Sequence, residues 1–175
     1  MLRSPSLAAA LLLACASASP RPTVKVPPLA GTPLDAQALD LAGQEVRIEP
    51  AGKVVVVDFF ASWCQPCRVQ LPRLDQLAHD LSARGLAVYA VSFDEDREAL
   101  LGFTRQVPVG FPVLWDRGGE RLARPLRIER LPTTLVVDRA GTIREVHVGY
   151  DAREGDALEA EVRALLAAAT PAAPP

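Results

Sequence analysis

Metal-ligating side chains are scarce in this chain, which has three cysteines and two histidines among 175 residues. His79 and His147 stand alone and far apart, and Cys15 lies in a leader expected to be removed. The four ligands of a structural zinc site are therefore not on hand. No basic run occurs and the formal net charge is −2, which argues against a nucleic-acid binder. No apolar stretch is long enough to span a bilayer as a helix, Leu7 to Ala14 being far short of the need. The residue after Cys67 is Arg68, not His, so the haem-attachment form of C-x-x-C is missing.

What is present is one well-placed pair. Cys64-Gln65-Pro66-Cys67 follows the apolar run Val54-Val55-Val56-Val57-Asp58-Phe59-Phe60, a buried strand by composition. Leu74, Leu77, Ala78 and Leu81 then recur at i, i+3, i+4 and i+7, one face of a helix. The cysteines sit where a central strand hands over to a helix. Unpaired N–H groups and the macrodipole at a helix N-terminus favour a thiolate, which places an exposed Cys64 as nucleophile. Cys67, deeper and one turn on, can close on it. A purely structural disulfide over so short a loop would constrain little of the unfolded chain, so the spacing reads as redox chemistry.

With 49% hydrophobic and 23% charged residues, the length suits one globular domain with a sizeable core. Residues 1–19 read as an export signal: Arg3, an apolar core, then Ala16-Ser17-Ala18 as a cleavage site. Leu12-Leu13-Ala14-Cys15 also resembles a bacterial lipobox, in which Cys15 would be lipidated. Residues 20–34 are proline-rich and read as an extended linker or poorly ordered lead-in. The domain is expected over 35–169, with a disordered tail at 170–175. Within it, Ala38 to Leu41 and Glu45 to Ile48 flank a Gly turn as a β-hairpin. Pro72 should kink the active-site helix, and Gly85 ends it. Leu86 to Phe93 is a second buried strand. Asp94-Glu95-Asp96 reads as a capping cluster for a helix over Arg97 to Gln106, not as a metal site. Val109 to Trp115 is expected as an edge or irregular strand and Glu120 to Leu126 as a short helix. A hairpin then joins Leu135–Asp138 to Ile143–Val148, and a last amphipathic helix runs to Ala169. The order implies an α/β fold with a mixed central sheet and helices on both faces.

The stretch VDFFASWCQPC followed by RVQLPRLDQLA resembles the active-site strand and helix of thioredoxin-fold proteins. The longer pattern, from about Leu29 to the last helix, resembles the exported TlpA/ResA type within the AhpC/TSA-Redoxin-like superfamily. The resemblance implies a thioredoxin-like fold with an N-terminal β-hairpin and a central strand-and-helix insertion. It implies a protein-disulfide reductase cycling between dithiol and disulfide at Cys64 and Cys67. No cofactor and no metal are called for. Its partners would be protein dithiols or disulfides, apocytochrome c among the family substrates, with a membrane thiol reductant as electron donor. A periplasmic or otherwise extracytoplasmic monomer is expected.

The resemblance also assigns roles. Pro132, in Leu131-Pro132-Thr133, matches the cis proline beside the cysteine pair, where backbone lacking an N–H lets an extended substrate segment pair alongside. Trp63 is expected to pack against the cysteine loop and shape the docking surface, with Pro66 beside it. Asp58, alone in an apolar strand, should hold its proton unusually tightly because burial penalises the ion. It matches the buried acid of thioredoxin, whereas TlpA/ResA-like proteins often have Asn there and Glu where this chain has Gln70. Asp58 is therefore expected to have taken over proton transfer at Cys67. Gln65 and Pro66 add no positive charge, which favours a reducing couple. Three other readings stay open: a copper- or metal-delivery module, a thiol peroxidase (whose Thr-x-x-Cys context is absent), and a disulfide-forming oxidant sharing every residue named.

Overall fold

A computed structural model describes residues 29–168. The expected export signal, most of the proline-rich lead-in, Ala169 and the C-terminal segment expected as a tail lie outside that range. The elements run β1 (Gln37–Asp40), β2 (Glu45–Arg47), β3 (Val54–Phe60), α1 (Gln65–Leu81), β4 (Leu86–Ser92), α2 (Arg97–Gln106), β5 (Val113–Trp115), β6 (Thr133–Val137), β7 (Ile143–Val148) and α3 (Ala152–Ala167). They form one mixed seven-stranded sheet in the order β2-β1-β5-β4-β3-β6-β7.

The apolar run builds the middle of this sheet. β3 is buried along its whole length, paired parallel with β4 and antiparallel with β6. Its side chains alternate between the two faces. Val54, Val56 and Phe60 join Leu71, Leu74, Leu77 and Leu81 of α1, Leu100 and Phe103 of α2, and Leu158, Val162 and Leu166 of α3. Val55, Val57 and Phe59 join Leu34, Ile48, Leu122, Ala123 and Ile128 on the other face. α1, α2 and α3 thus pack on one face; β3, β4 and β5 step across the sheet in one direction and right-handed crossovers keep α1 and α2 on the same side.

The second face is closed by irregular chain, which corrects the expectation of helices on both. Glu120 to Leu126 is a set of turns, not a helix. The buried carboxylate of Asp116 accepts the backbone N–H groups of Arg121, Leu122 and Ala123, drawing into a side-chain knot the donors that a helix would use. Gly119, at φ 73°, makes the approach: a Cβ there would stand 2.9 Å from the Cβ of Ala123.

Other boundaries differ for local reasons. β5 is three residues long and interior, because the β1–β2 hairpin pairs along its outer side through Leu39–Trp115 and Asp40–Leu114. Pro112 lies just before it and costs no ladder bond. Residues 29–34 are not a loose linker: Gly31 and Leu34 donate to the carbonyls of Ile143 and Gly141, and Ile143 donates back to Thr32. α1 continues through Pro72 and stops at Leu81, after which a 3₁₀ turn over Ser82–Arg84 ends at Gly85 with φ 96°. α2 keeps the expected bounds, with Asp96 as the cap. The bare C-terminus of α3 is met by Arg139, whose guanidinium donates to the carbonyls of Leu165, Leu166 and Ala168, a cation where the helix dipole is negative. Among the described residues no helix is long and apolar enough to cross a membrane.

Candidate active site

β3 delivers the chain to the cysteine pair and α1 holds it. Cys64 is the N-cap of α1, in extended conformation, and its Sγ accepts from the N–H of Cys67 at 3.3 Å. Pro66 falls within the first two helical positions, where its missing N–H has no intrahelical role. The two cysteines form a disulfide with Cα atoms 5.4 Å apart. Cys64 is 4% exposed and Cys67 0%. The expected order of depth holds, but Cys64 is not the open thiol the sequence suggested. Both cysteines join the core cluster of Phe60 and Leu71, and bonding to Cys67 keeps Cys64 against the first turn.

Around this recessed pair the surface is apolar and open. Trp63 is 70% exposed and Val69 61%, well beyond what packing requires of large apolar side chains. Leu131–Pro132 is a cis peptide. Thr133 pairs with Phe59 across β3 and β6, so Pro132 comes level with the end of β3, from which the cysteine loop departs. Its carbonyl accepts from Gly149, and the Thr133 hydroxyl donates to Arg130.

Three supports hold this site, only partly visible in the sequence. Asp94, read there as part of a capping cluster, is buried and accepts from the N–H and hydroxyl of Ser62 and from the hydroxyl of Ser92. It moors the loop two residues before Cys64, while its own carbonyl takes the indole N–H of Trp115. Arg68 lays its guanidinium over the Phe103 ring, 4.7 Å from the centroid, and donates to Gln106.

The third support lies beneath the helix. Asp58 is fully buried on the face of β3 that α1 covers. Its Oδ1 accepts from Gln70 Nε2 at 2.6 Å and from the Thr134 hydroxyl at 2.7 Å, and Gln70 Nε2 also donates to Thr134 Oγ1. Oδ2 has no partner. Burial pushes the Asp58 carboxyl up to about 7, and the hydrogen bond from Thr134 pulls partly against it. A signal for Gln70 was available: it shares the i, i+3, i+4 stripe of Cys67, Leu71 and Leu74. Thr134 was not legible, because its position opposite Asp58 depends on strand register. Among the described residues no cluster of three or more His, Cys, Asp or Glu is placed to hold a metal.

A family model for the AhpC/TSA family matches residues 25–146. The chain belongs to the AhpC/TSA family. Relatives within reach of this AhpC/TSA chain are redox proteins by name. It is 29% identical over 116 residues to the thiol-disulfide oxidoreductase ResA of Bacillus thuringiensis, covering 66% of each chain. It is 32% identical over 113 residues to the thioredoxin-like protein YneN of Bacillus subtilis, covering 62% of this chain and 65% of that one. The matched stretch therefore spans a little under two thirds of these relatives. Among solved structures, a protein described as a thiol:disulfide interchange protein DsbE from Chlorobium tepidum superposes with a TM-score of 0.73 at 33% identity, over 78% of this chain and 97% of the other. The fold is thioredoxin-like.

Proposed function

We propose that this AhpC/TSA-family chain is an exported thiol–disulfide oxidoreductase that reduces protein disulfides. The observation that carries the reading is the Cys64–Cys67 disulfide at the N-terminus of α1, the helix whose Gln70 donates to the buried carboxyl of Asp58. In the reduced protein the Cys64 thiolate attacks a substrate disulfide, forms a mixed disulfide and releases one substrate thiolate. Cys67 gives up its proton, with Asp58 as acceptor, and attacks Cys64 Sγ. The second substrate sulfur leaves as a thiolate, and the Cys64–Cys67 bond closes. Two electrons have passed to the substrate, and a thiol reductant must return them. A membrane donor fits a protein working outside the cytoplasm.

Substrate docking falls to the ring around the pair. Trp63 and Pro66 offer exposed apolar surface, and the Leu131-Pro132-Thr133 segment offers backbone for a strand laid alongside. Unfolded protein segments, apocytochrome c among them, are the substrate class this suits. The leader at 1–19, cleaved or lipidated at Cys15, is the means of export in this reading.

Equilibration of the pair against glutathione and dithiothreitol buffers tests the direction. A potential near that of thioredoxin, about −270 mV, supports a reductase. One near about −120 mV makes the protein an oxidant that donates disulfides. A pair with no reversible couple would remove the redox reading altogether.

A further inference from the structure

Below the cysteine pair, Asp58, Thr134 and His147 stand in one row across three strands. Asp58 is the register partner of Thr134, and Thr134 of His147. Direct partners keep their side chains on one face, about 5 Å apart at Cβ. The row continues to α3, where Glu154 Oε2 lies 3.5 Å from His147 Nδ1. Exposure rises along it without a break: Asp58 0% and Thr134 1%, then the side chains of His147 at 14% and Glu154 at 36%.

Besides Asp58 Oδ2, two buried atoms in or beside this row lack a hydrogen-bond partner, Gln70 Oε1 and His147 Nε2. Both residues border one cavity, with Thr134, Tyr150 and Glu154 on its wall. Its volume of ≈ 10 Å³ is about what a single water needs. A water there would donate to Gln70 Oε1 and reach both the Thr134 hydroxyl and His147 Nε2. Leaving either polar atom bare would cost about 1–3 kcal/mol of desolvation.

We infer that Thr134, one water in this cavity, His147 and Glu154 form the path by which the proton held on Asp58 exchanges with solvent. The inference rests on the reading of Asp58 as the acceptor for the Cys67 proton. The Thr134 hydroxyl, which donates to Asp58 Oδ1 in the structure, first turns to the water; with the carboxyl proton on Oδ1, that proton then passes to Thr134 Oγ1 as the hydroxyl proton of Thr134 passes to the water. The water gives a proton to His147 Nε2, and the imidazole releases its Nδ1 proton to the Glu154 carboxylate and so to solvent. Each group ends with as many protons as it began, except Asp58, which is left ionised. Gln70 cannot carry a proton in its amide; it positions Asp58 Oδ1, Thr134 Oγ1 and the water at once.

The charges facing His147 come from several elements. Glu154 lies on α3 and Asp58 on β3. Glu145, two residues earlier on β7, is exposed. Arg73 of α1 stands in the neighbouring cavity beyond Tyr150 and is engaged by Asp156 and Glu159. Glu154, 3.5 Å from the imidazole Nδ1, is the carboxylate that links His147 to water.

The test follows Asp58 itself. The oxidised protein is jumped from mildly acid to mildly alkaline pH while the infrared C=O stretch of a protonated carboxyl is recorded, the Asp58 band being the one lost in Asp58→Asn. His147→Ala should slow its disappearance on the order of 10²-fold, and imidazole added to the buffer should restore the rate in proportion to its concentration. His147→Gln, which can hold the water but not a proton, should slow the band while leaving its equilibrium midpoint in place. Thr134→Val should slow it as well, and Thr134→Ser should not. A structural histidine would give no rescue by imidazole. If the Asp58 band titrates but decays at the wild-type rate in His147→Ala and His147→Gln, the path is wrong while Asp58 stands as acceptor. If no Asp58 band titrates between those pH values, the acceptor reading fails and the path with it.

Discussion

Gln70 and Asp58 meet beneath the active-site helix, with Gln70 Nε2 2.6 Å from Asp58 Oδ1. The acid of this site therefore stands on the strand, and the helix supplies an amide that donates to it. TlpA/ResA-like chains, as the sequence resemblance has it, tend to place the acid on the helix and an amide on the strand. In this chain the two residue types stand exchanged, and the pair keeps a single carboxyl. Asp58 is held at 0% exposure by donors from two elements, which explains how an acid is tolerated inside a run of valines and phenylalanines.

The pH dependence of stability follows from that burial. With its pKa raised from 3.8 to about 7, Asp58 binds more proton in the native state than in the unfolded state throughout that window. The contribution of Asp58 to stability then falls as pH rises from about 4 to about 7 and levels off above. Asp58→Asn removes this slope. Relative to wild type, the variant is expected to gain roughly 4 kcal/mol between about pH 4 and about pH 8, from the 1.36 kcal/mol carried by each pKa unit. Denaturant unfolding of the oxidised protein across that range measures it, and parallel curves for the two proteins would show that Asp58 is ionised when folded.

Gln70→Glu puts a second carboxyl against the first. Two carboxylates at that distance cannot both ionise, so one proton should stay with the pair to well above neutrality. The resolving step at Cys67 should move its pH dependence to the alkaline side, and the protein should lose about 3 kcal/mol where both groups are forced to ionise. Release of an aromatic thiol from a mixed disulfide preformed on Cys64 reads the first effect. An unshifted profile would separate Gln70 from the chemistry of Cys67.

Much of this arrangement was legible because it is local. The apolar run of β3, the C-x-x-C at its end, the leucine stripe of α1 and the Asp96 cap of α2 each declare themselves within a dozen residues, and each stands where expected. The failures were non-local. Glu120 to Leu126 has helical composition, but a carboxylate four residues upstream of its start takes its N–H groups. Asp94 looked like a third capping acid until the fold brought Ser62 to it across 32 residues. Thr134 and His147 were ordinary strand residues until register set them in line with Asp58. Pairing of distant strands decided which polar residues became a site, and no periodicity within one segment reports that.

The two cysteines should separate cleanly in a trapping experiment. Cys67→Ser leaves Cys64 able to attack but nothing to resolve the product, so mixed disulfides with exported proteins should accumulate on non-reducing gels. Cys64→Ser leaves Cys67 as the site's thiol, the deeper of the pair, and little should be trapped. Equal trapping by both variants would overturn the assignment of attacking and resolving thiols.

Asp94 provides the sharpest separation of scaffold from chemistry. Its carboxylate takes the Ser62 N–H at 3.0 Å, the Ser62 hydroxyl at 2.7 Å and the Ser92 hydroxyl at 2.7 Å, so truncation leaves three donors, part-buried or buried, without their acceptor. Asp94→Ala is expected to cost about 3 kcal/mol, and Asp94→Asn, which keeps an acceptor oxygen, less. Because Ser62 is two residues from Cys64, the loosened loop should also slow oxidation of the reduced protein by a small aromatic disulfide. The pH dependence of that rate should stay as it was, since the Asp58–Gln70–Thr134 group lies on β3, α1 and β6 and shares no hydrogen bond with Asp94. A rate loss with a displaced pH profile would instead mean that the mooring of the loop and the titration of Asp58 are coupled through α1.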